Sequence, residues 1–241
     1  MLHRTRGIVI RITDYSETSV VAKIYTEKFG MQSYLINGVK KKKSRIRLNA
    51  LQPLTLLSME VYHKDSKGLH RLSEIRQEPL FSSIPYDMKK VSIVFLINEI
   101  IGKAIRESEH NKNLFNFLHD AILFLDKTTE TVESFYISFM LHLAKELGFA
   151  PGGKFSVQKK YFNLKEGIFQ DTIPAHPHWL QPEASEKFFL LMQTALEKSC
   201  ALNFSSAERK QFRAALIMYY RLHVEGFIAG RSQKVMEEVW E

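Results

Sequence analysis

An all-β barrel followed by an all-α domain is the fold class that this chain predicts, on three observations. Residues 1–80 hold five short runs rich in β-branched and aromatic residues, separated by turn clusters. After Pro79 the apolar residues change to helical spacing. Between the third and fourth helical runs, Pro151, Gly152, Gly153, Gly167, Pro174 and Pro177 break the periodicity. The expected division is a strand domain over 1–80 and a helical domain over 81–241, with a small irregular or hairpin insertion at about 149–180.

Gly7-Ile8-Val9-Ile10-Arg11-Ile12 is the first strand, and Asp14-Tyr15-Ser16-Glu17 turns the chain. Residues 18–26 alternate Val20, Ala22 and Ile24 with Val21, Lys23 and Tyr25. Glu27-Lys28-Phe29-Gly30 reads as a hairpin loop, with a glycine free to take positive φ. Strands over 31–39, 52–63 and 69–75 follow, Pro53 standing near the start of the fourth, where proline is tolerated. Five strands in about 75 residues suggest a small closed barrel of OB or SH3-like type, and strand count leaves both open.

Residues 86–107 place Val91, Val94, Phe95, Ile97, Ile100 and Ile101 on a wide apolar stripe. Residues 114–125 repeat the pattern with Phe115, Leu118, Ile122 and Leu125, and 132–147 form a third helix closed by Gly148. Tyr161-Phe162-Asn163 and Ile168-Phe169 flank a Lys-Glu-Gly turn within the insertion, the pattern of a hairpin. A fourth helix over 184–200 is entered through Pro182. Ser205-Ser206-Ala207-Glu208 has capping-box form and opens a fifth to about 228, and 231–240 make the last.

All the surplus positive charge lies in the strand domain. Residues 1–80 hold 15 Lys and Arg against 7 Asp and Glu; the remainder of the 34 and 26 is 19 of each. Six of the eight residues 40–47 are basic: Lys40, Lys41, Lys42, Lys43, Arg45 and Arg47. Adjacent ammonium groups repel one another, and a phosphate chain removes that cost while releasing counterions. The candidate phosphate-binding residues are these six with Arg6 and Arg11. Phe29 and Tyr34, at or near a loop, are the candidate base stackers. A bland reading makes the run a solvated loop.

Cys200 is the only cysteine, which excludes an intramolecular disulfide and a cysteine-rich zinc site and fits a reducing compartment. No leader sequence and no membrane-length apolar run are found, so a soluble cytoplasmic protein is expected. His176-Pro177-His178 has too few ligands for a metal site. Gly152-Gly153-Lys154 lacks phosphate-loop spacing. The run 188–192 reads as helical core. No linear catalytic motif is found, and no catalytic residue, metal or cofactor is expected.

Several segments together resemble the RecO family of recombination mediators. They are Gly7-Ile8-Val9-Ile10-Arg11, Asp14-Tyr15-Ser16-Glu17, Gly30, Gly38-Val39-Lys40-Lys41 with Ser44-Arg45, and Leu51-Gln52-Pro53-Leu54. Leu147-Gly148-Phe149-Ala150-Pro151, Tyr219-Tyr220-Arg221-Leu222-His223 and Arg231-Ser232 carry the resemblance to the end. It implies an N-terminal OB-fold barrel and a helical domain. It also implies binding to single- and double-stranded DNA, annealing, cooperation with RecR, docking of the C-terminal tail of single-strand-binding protein, and loading of RecA. The setting implied is bacterial, cytoplasmic and nucleoid-associated. Many members carry four cysteines as a zinc site in the insertion; this chain has none there. The competing readings are an OB-fold RNA-binding factor, a nucleic-acid enzyme with a dispersed site, and a scaffold whose basic loop binds an acidic protein.

Overall fold

A computed structural model describes residues 1–41, 46–64, 68–105 and 110–240. By packing, the chain divides into two compact units, Met1–Asp126 and Lys127–Trp240. The change from strand to helix falls earlier, near residue 80.

In the first unit, β1 (Leu2–Asp14), β2 (Val20–Thr26), β3 (Gly30–Ile36), β4 (Leu56–Tyr62) and β5 (His70–Gln77) close an OB-like barrel in the order β1-β2-β3-β5-β4. All neighbours are antiparallel except β3 and β5. β1 serves two neighbours, pairing with β4 over its first half and β2 over its second. A bulge between Val9 and Arg11 lets so long a strand bend from one to the other. Inside lie Val9, Ala22, Ile24, Tyr34, Leu57, Met59 and Val61. Gly7 is required where the wall closes: a Cβ there would stand 2.6 Å from Met59 Sδ and 2.7 Å from Ile24 Cγ2.

The fourth strand is expected from residue 52, but Leu48–Leu51 form a 3-10 turn and β4 starts only at Leu56. Leu54 takes φ 58 with its N–H donating to Val9 O at 2.8 Å, so the chain turns sharply into the barrel wall there. Helices α1 (Met88–Ala104) and α2 (Lys112–Lys127) follow. Asn98 Nδ2 on α1 donates to Ile10 O at 2.9 Å, and Tyr25 stacks with Phe115 of α2, centroids 6.2 Å apart. Phe95, placed on the buried stripe by periodicity, is 42% exposed.

The second unit holds α3 (Phe135–Glu146), β6 (Tyr161–Asn163), β7 (Ile168–Gln170), β8 (Trp179–Leu180), α4 (Pro182–Gln193), α5 (Ser206–His223) and α6 (Ser232–Trp240). The capping box forms as expected, Ser205 and Glu208 each accepting from the other's backbone N–H. Lys187 pairs with Glu208, and this bond, with those from Ser205, holds the Glu208 carboxyl down at about 2. α4 ends at Gln193, short of the expected 200. Thr194 Oγ1 donates to Leu190 O at 2.8 Å, a local bond that competes with helix continuation, and residues 196–201 turn as 3-10. Leu190, within the run expected to be core, is 50% exposed.

The insertion is a three-stranded sheet, β7-β6-β8. Phe162, Phe169 and Leu180 bury its inner side, Phe162 lying 4.7 Å from the Phe188 ring. Gly167 turns the hairpin at φ +71, and a Cβ there would lie 2.9 Å from Tyr219 Oη. That hydroxyl donates to Phe149 O at 2.7 Å, which fixes its position. Gly167→Ala therefore combines a left-handed alanine with a disturbed hydrogen bond. It is expected to lower unfolding free energy by about 2 kcal/mol, read by urea denaturation.

Candidate nucleic-acid interface

Barrel geometry decides which side chains a strand of nucleic acid could touch. Val20, Ala22 and Ile24 point inward, so Val21 and Lys23 point outward. Directly paired residues share a face, which places Arg11, Lys23 and Ser33 in one outward row across β1, β2 and β3. The neighbouring row runs Thr13, Val21, Leu35, Arg71 and Tyr62 across all five strands. Arg11 and Arg71 are exposed, Lys23 is half-buried, and Tyr62 is 52% exposed. Among the described residues, neither arginine nor Lys23 has a carboxylate partner. Tyr15, 62% exposed, stands on the turn between β1 and β2, where its N–H donates to Ser19 O at 3.0 Å.

The basic run enters beside this face. Lys40 N–H donates to Thr18 O at 3.2 Å, tying the β3–β4 connection to the β1–β2 turn. Lys40 Nζ is 2.7 Å from Asp14 Oδ1, so part of its charge is already neutralised. Lys41 and Arg47 are exposed and, among the described residues, have no carboxylate partner. Lys42, Lys43 and Arg45 lie outside the described residues.

Two of the residues that the sequence suggests for this interface need correction. Tyr34 is fully buried within the barrel, so no ring face is open to a base. Burial pushes its phenol well above the ordinary tyrosine range. Arg6 turns toward α2: Nε and Nη2 donate to Glu27 at 3.0 and 2.9 Å, Nη2 also donates to Asn116 Oδ1 at 3.2 Å, and the guanidinium lies 5.1 Å from the Phe115 centroid. Its hydrogen bonds hold the Glu27 carboxyl below the usual range. Arg6 thus fastens barrel to helix. Phe29 is half-buried, one face stacked on His63 at 3.9 Å and His3 set edge-on at 5.3 Å. Lys23, Arg71 and Tyr62 instead stand on the outward barrel face, where the register of the strands places them.

Among the described residues, no group of three or more His, Cys, Asp or Glu is placed to hold a metal ion. The insertion has no cysteine, so the four-cysteine zinc site that the resemblance implies for many RecO-like chains does not fit here, and β6, β7 and β8 are packed by an aromatic core. Among the described residues, no helix is long and apolar enough to cross a membrane.

Residues 1–79 match the family described as Recombination protein O N terminal, and residues 85–231 match Recombination protein O C terminal. The chain belongs to the RecO family. It is 31% identical over 242 residues to the DNA repair protein RecO of Bacteroides fragilis, covering 100% of both chains. It is 33% identical over 239 residues to that of Flavobacterium psychrophilum, covering 98% of both.

Proposed function

We propose that this chain is a DNA repair protein that binds single- and double-stranded DNA and anneals complementary strands. In this reading it helps load RecA on DNA coated by single-strand-binding protein, with RecR as partner, and makes or breaks no covalent bond. The outward row of Arg11 and Lys23, flanked by Arg71, Tyr62 and Lys41, carries the reading. OB-type barrels hold oligonucleotides on the face of their second and third strands and the adjoining loops. Fixed cations there screen the repulsion between two phosphate chains, and an exposed aromatic ring accepts any base. The DNA repair role named for the family's Bacteroides and Flavobacterium members accords with this.

The helical unit supplies a place for the coat protein's acidic, apolar tail. An open cavity of about 340 Å³ has Leu141, Pro151 and Met192 on its walls and His142 and Lys145 among its polar lining. Lys145, at the last turn of α3, suits a tail carboxylate.

Complementary oligonucleotides, bare and coated with single-strand-binding protein, test the proposal. Duplex formation is expected to accelerate on both; an unassisted rate on bare strands overturns it. Lys145→Glu is expected to weaken binding of the tail peptide on the order of fivefold and slow annealing of coated strands only.

A further inference from the structure

The outer side of the insertion sheet is closed at its centre by Asn163, buried and bonded to Gln170 and to the Lys165 and Glu166 N–H groups, but leaves aromatic rings partly open around it. With Phe162, Phe169 and Leu180 turned inward, alternation puts Tyr161, Ile168 and Trp179 on the other face. Tyr161 and Trp179 are half-buried, their centroids 5.5 Å apart and their planes at 85°. Lys160 Nζ sits 5.6 Å from the Tyr161 centroid. Lys154, Lys159 and Lys165 are exposed nearby in sequence, and among the described residues none of these four lysines has a carboxylate partner. Residues 81–241 balance at 19 charges of each sign, yet the insertion holds these four lysines against Glu166 and Asp171 alone.

Lys160 beside the Tyr161 ring, with Lys159 next to it in sequence and Trp179 partly open, matches the needs of unstacked bases on a phosphate chain, for which stacking and counterion release both contribute. An acidic peptide would use the lysines but gain little from the rings. We propose that the outer face of the insertion sheet is a second contact for single-stranded nucleic acid. Bases stack on Trp179 and Tyr161, and Lys159 and Lys160 meet phosphates. The inference rests on the reading of the barrel as the first contact. It gives one chain a hold on two strands, which annealing requires.

Trp179 itself reports the outcome. The chain has two tryptophans, so Trp240→Phe leaves Trp179 as the sole indole of the full-length protein. Addition of a short oligothymidylate is expected to quench its emission. The quenching should persist when Arg11, Lys41 and Arg71 are replaced by alanine. It should need on the order of tenfold more oligomer when Lys159 and Lys160 are replaced instead. Anisotropy of a labelled oligomer, followed in parallel, separates the two readings. Binding with unchanged Trp179 emission overturns the second site and leaves the barrel contact standing. Quenching that disappears with the barrel cations and survives loss of Lys159 and Lys160 overturns it too, because one strand would then be reaching both places. Equal quenching by oligoglutamate overturns the assignment to nucleic acid. No oligomer binding by the unsubstituted chain overturns both contacts.

Discussion

Replacing Arg11, Lys23, Lys41 and Arg71 together by alanine is expected to weaken binding to single-stranded DNA by about two orders of magnitude near physiological salt. The dependence of log affinity on log salt should flatten by about 2.8, at about 0.7 for each phosphate that the variant no longer neutralises. The weakening should be the same for all base sequences, since phosphates carry no sequence information. All four side chains stand on or beside one barrel face without a carboxylate partner among the described residues, so folding should be little affected. Lys40 is the internal comparison. Asp14 holds its ammonium group at 2.7 Å, and Lys40→Ala should change the slope by less than replacement of any of the four does. Salt titrations of a labelled oligomer by anisotropy measure both. A quadruple variant with the parent slope would remove the barrel face from the mechanism.

Why this face is only partly legible in the sequence is a matter of register. The five strands and the capping box of α5 follow from local pattern, because turn residues and Ser-x-x-Glu act within a few positions. Arg71 reaches the same row as Val21 and Leu35 only through the parallel pairing of β3 with β5. Nothing in the sequence near Arg71 encodes that pairing. Tyr34 is hard to orient from its neighbours because both sides of β3 are partly apolar: Met31 and Leu35 share one, Tyr34 and Ile36 the other. Arg6 reads as another member of the basic cluster until the approach of α2 brings Asn116 and Phe115 beside it. Lys23 does carry a local signal, as the one charge alternating with Val20, Ala22 and Ile24, the pattern of an outward position on a half-buried strand.

Asp126→Ala is expected to cost the chain about 3 kcal/mol of unfolding free energy at neutral pH, the largest stability loss foreseen for a single substitution. The residue is 5% exposed at the end of α2. Its carboxylate accepts the N–H groups of Ser82, Ser83 and Ile84 at 2.9–3.0 Å and the Ser82 hydroxyl at 3.0 Å. Ser83 Oγ donates to the Asp126 carbonyl, and the buried Lys90 ammonium donates to Ser83 Oγ at 2.7 Å and to that carbonyl at 3.3 Å. Burial by itself would raise the Asp126 pKa, but the backbone and hydroxyl donors outweigh it and hold the carboxyl below the ordinary range. A depressed folded pKa fixes the sign of the pH effect. The unfolded chain binds its proton first, near about pH 3.9, so the stabilisation is complete above that value and drains away as pH falls toward the folded pKa. The difference between parent and Asp126→Ala in urea denaturation should therefore be full near neutrality and shrink below about pH 4. Glu208, also held low, titrates alike in both proteins and cancels from the difference. A gap that stays constant into acid would mean that Asp126 works by packing and not by its charge.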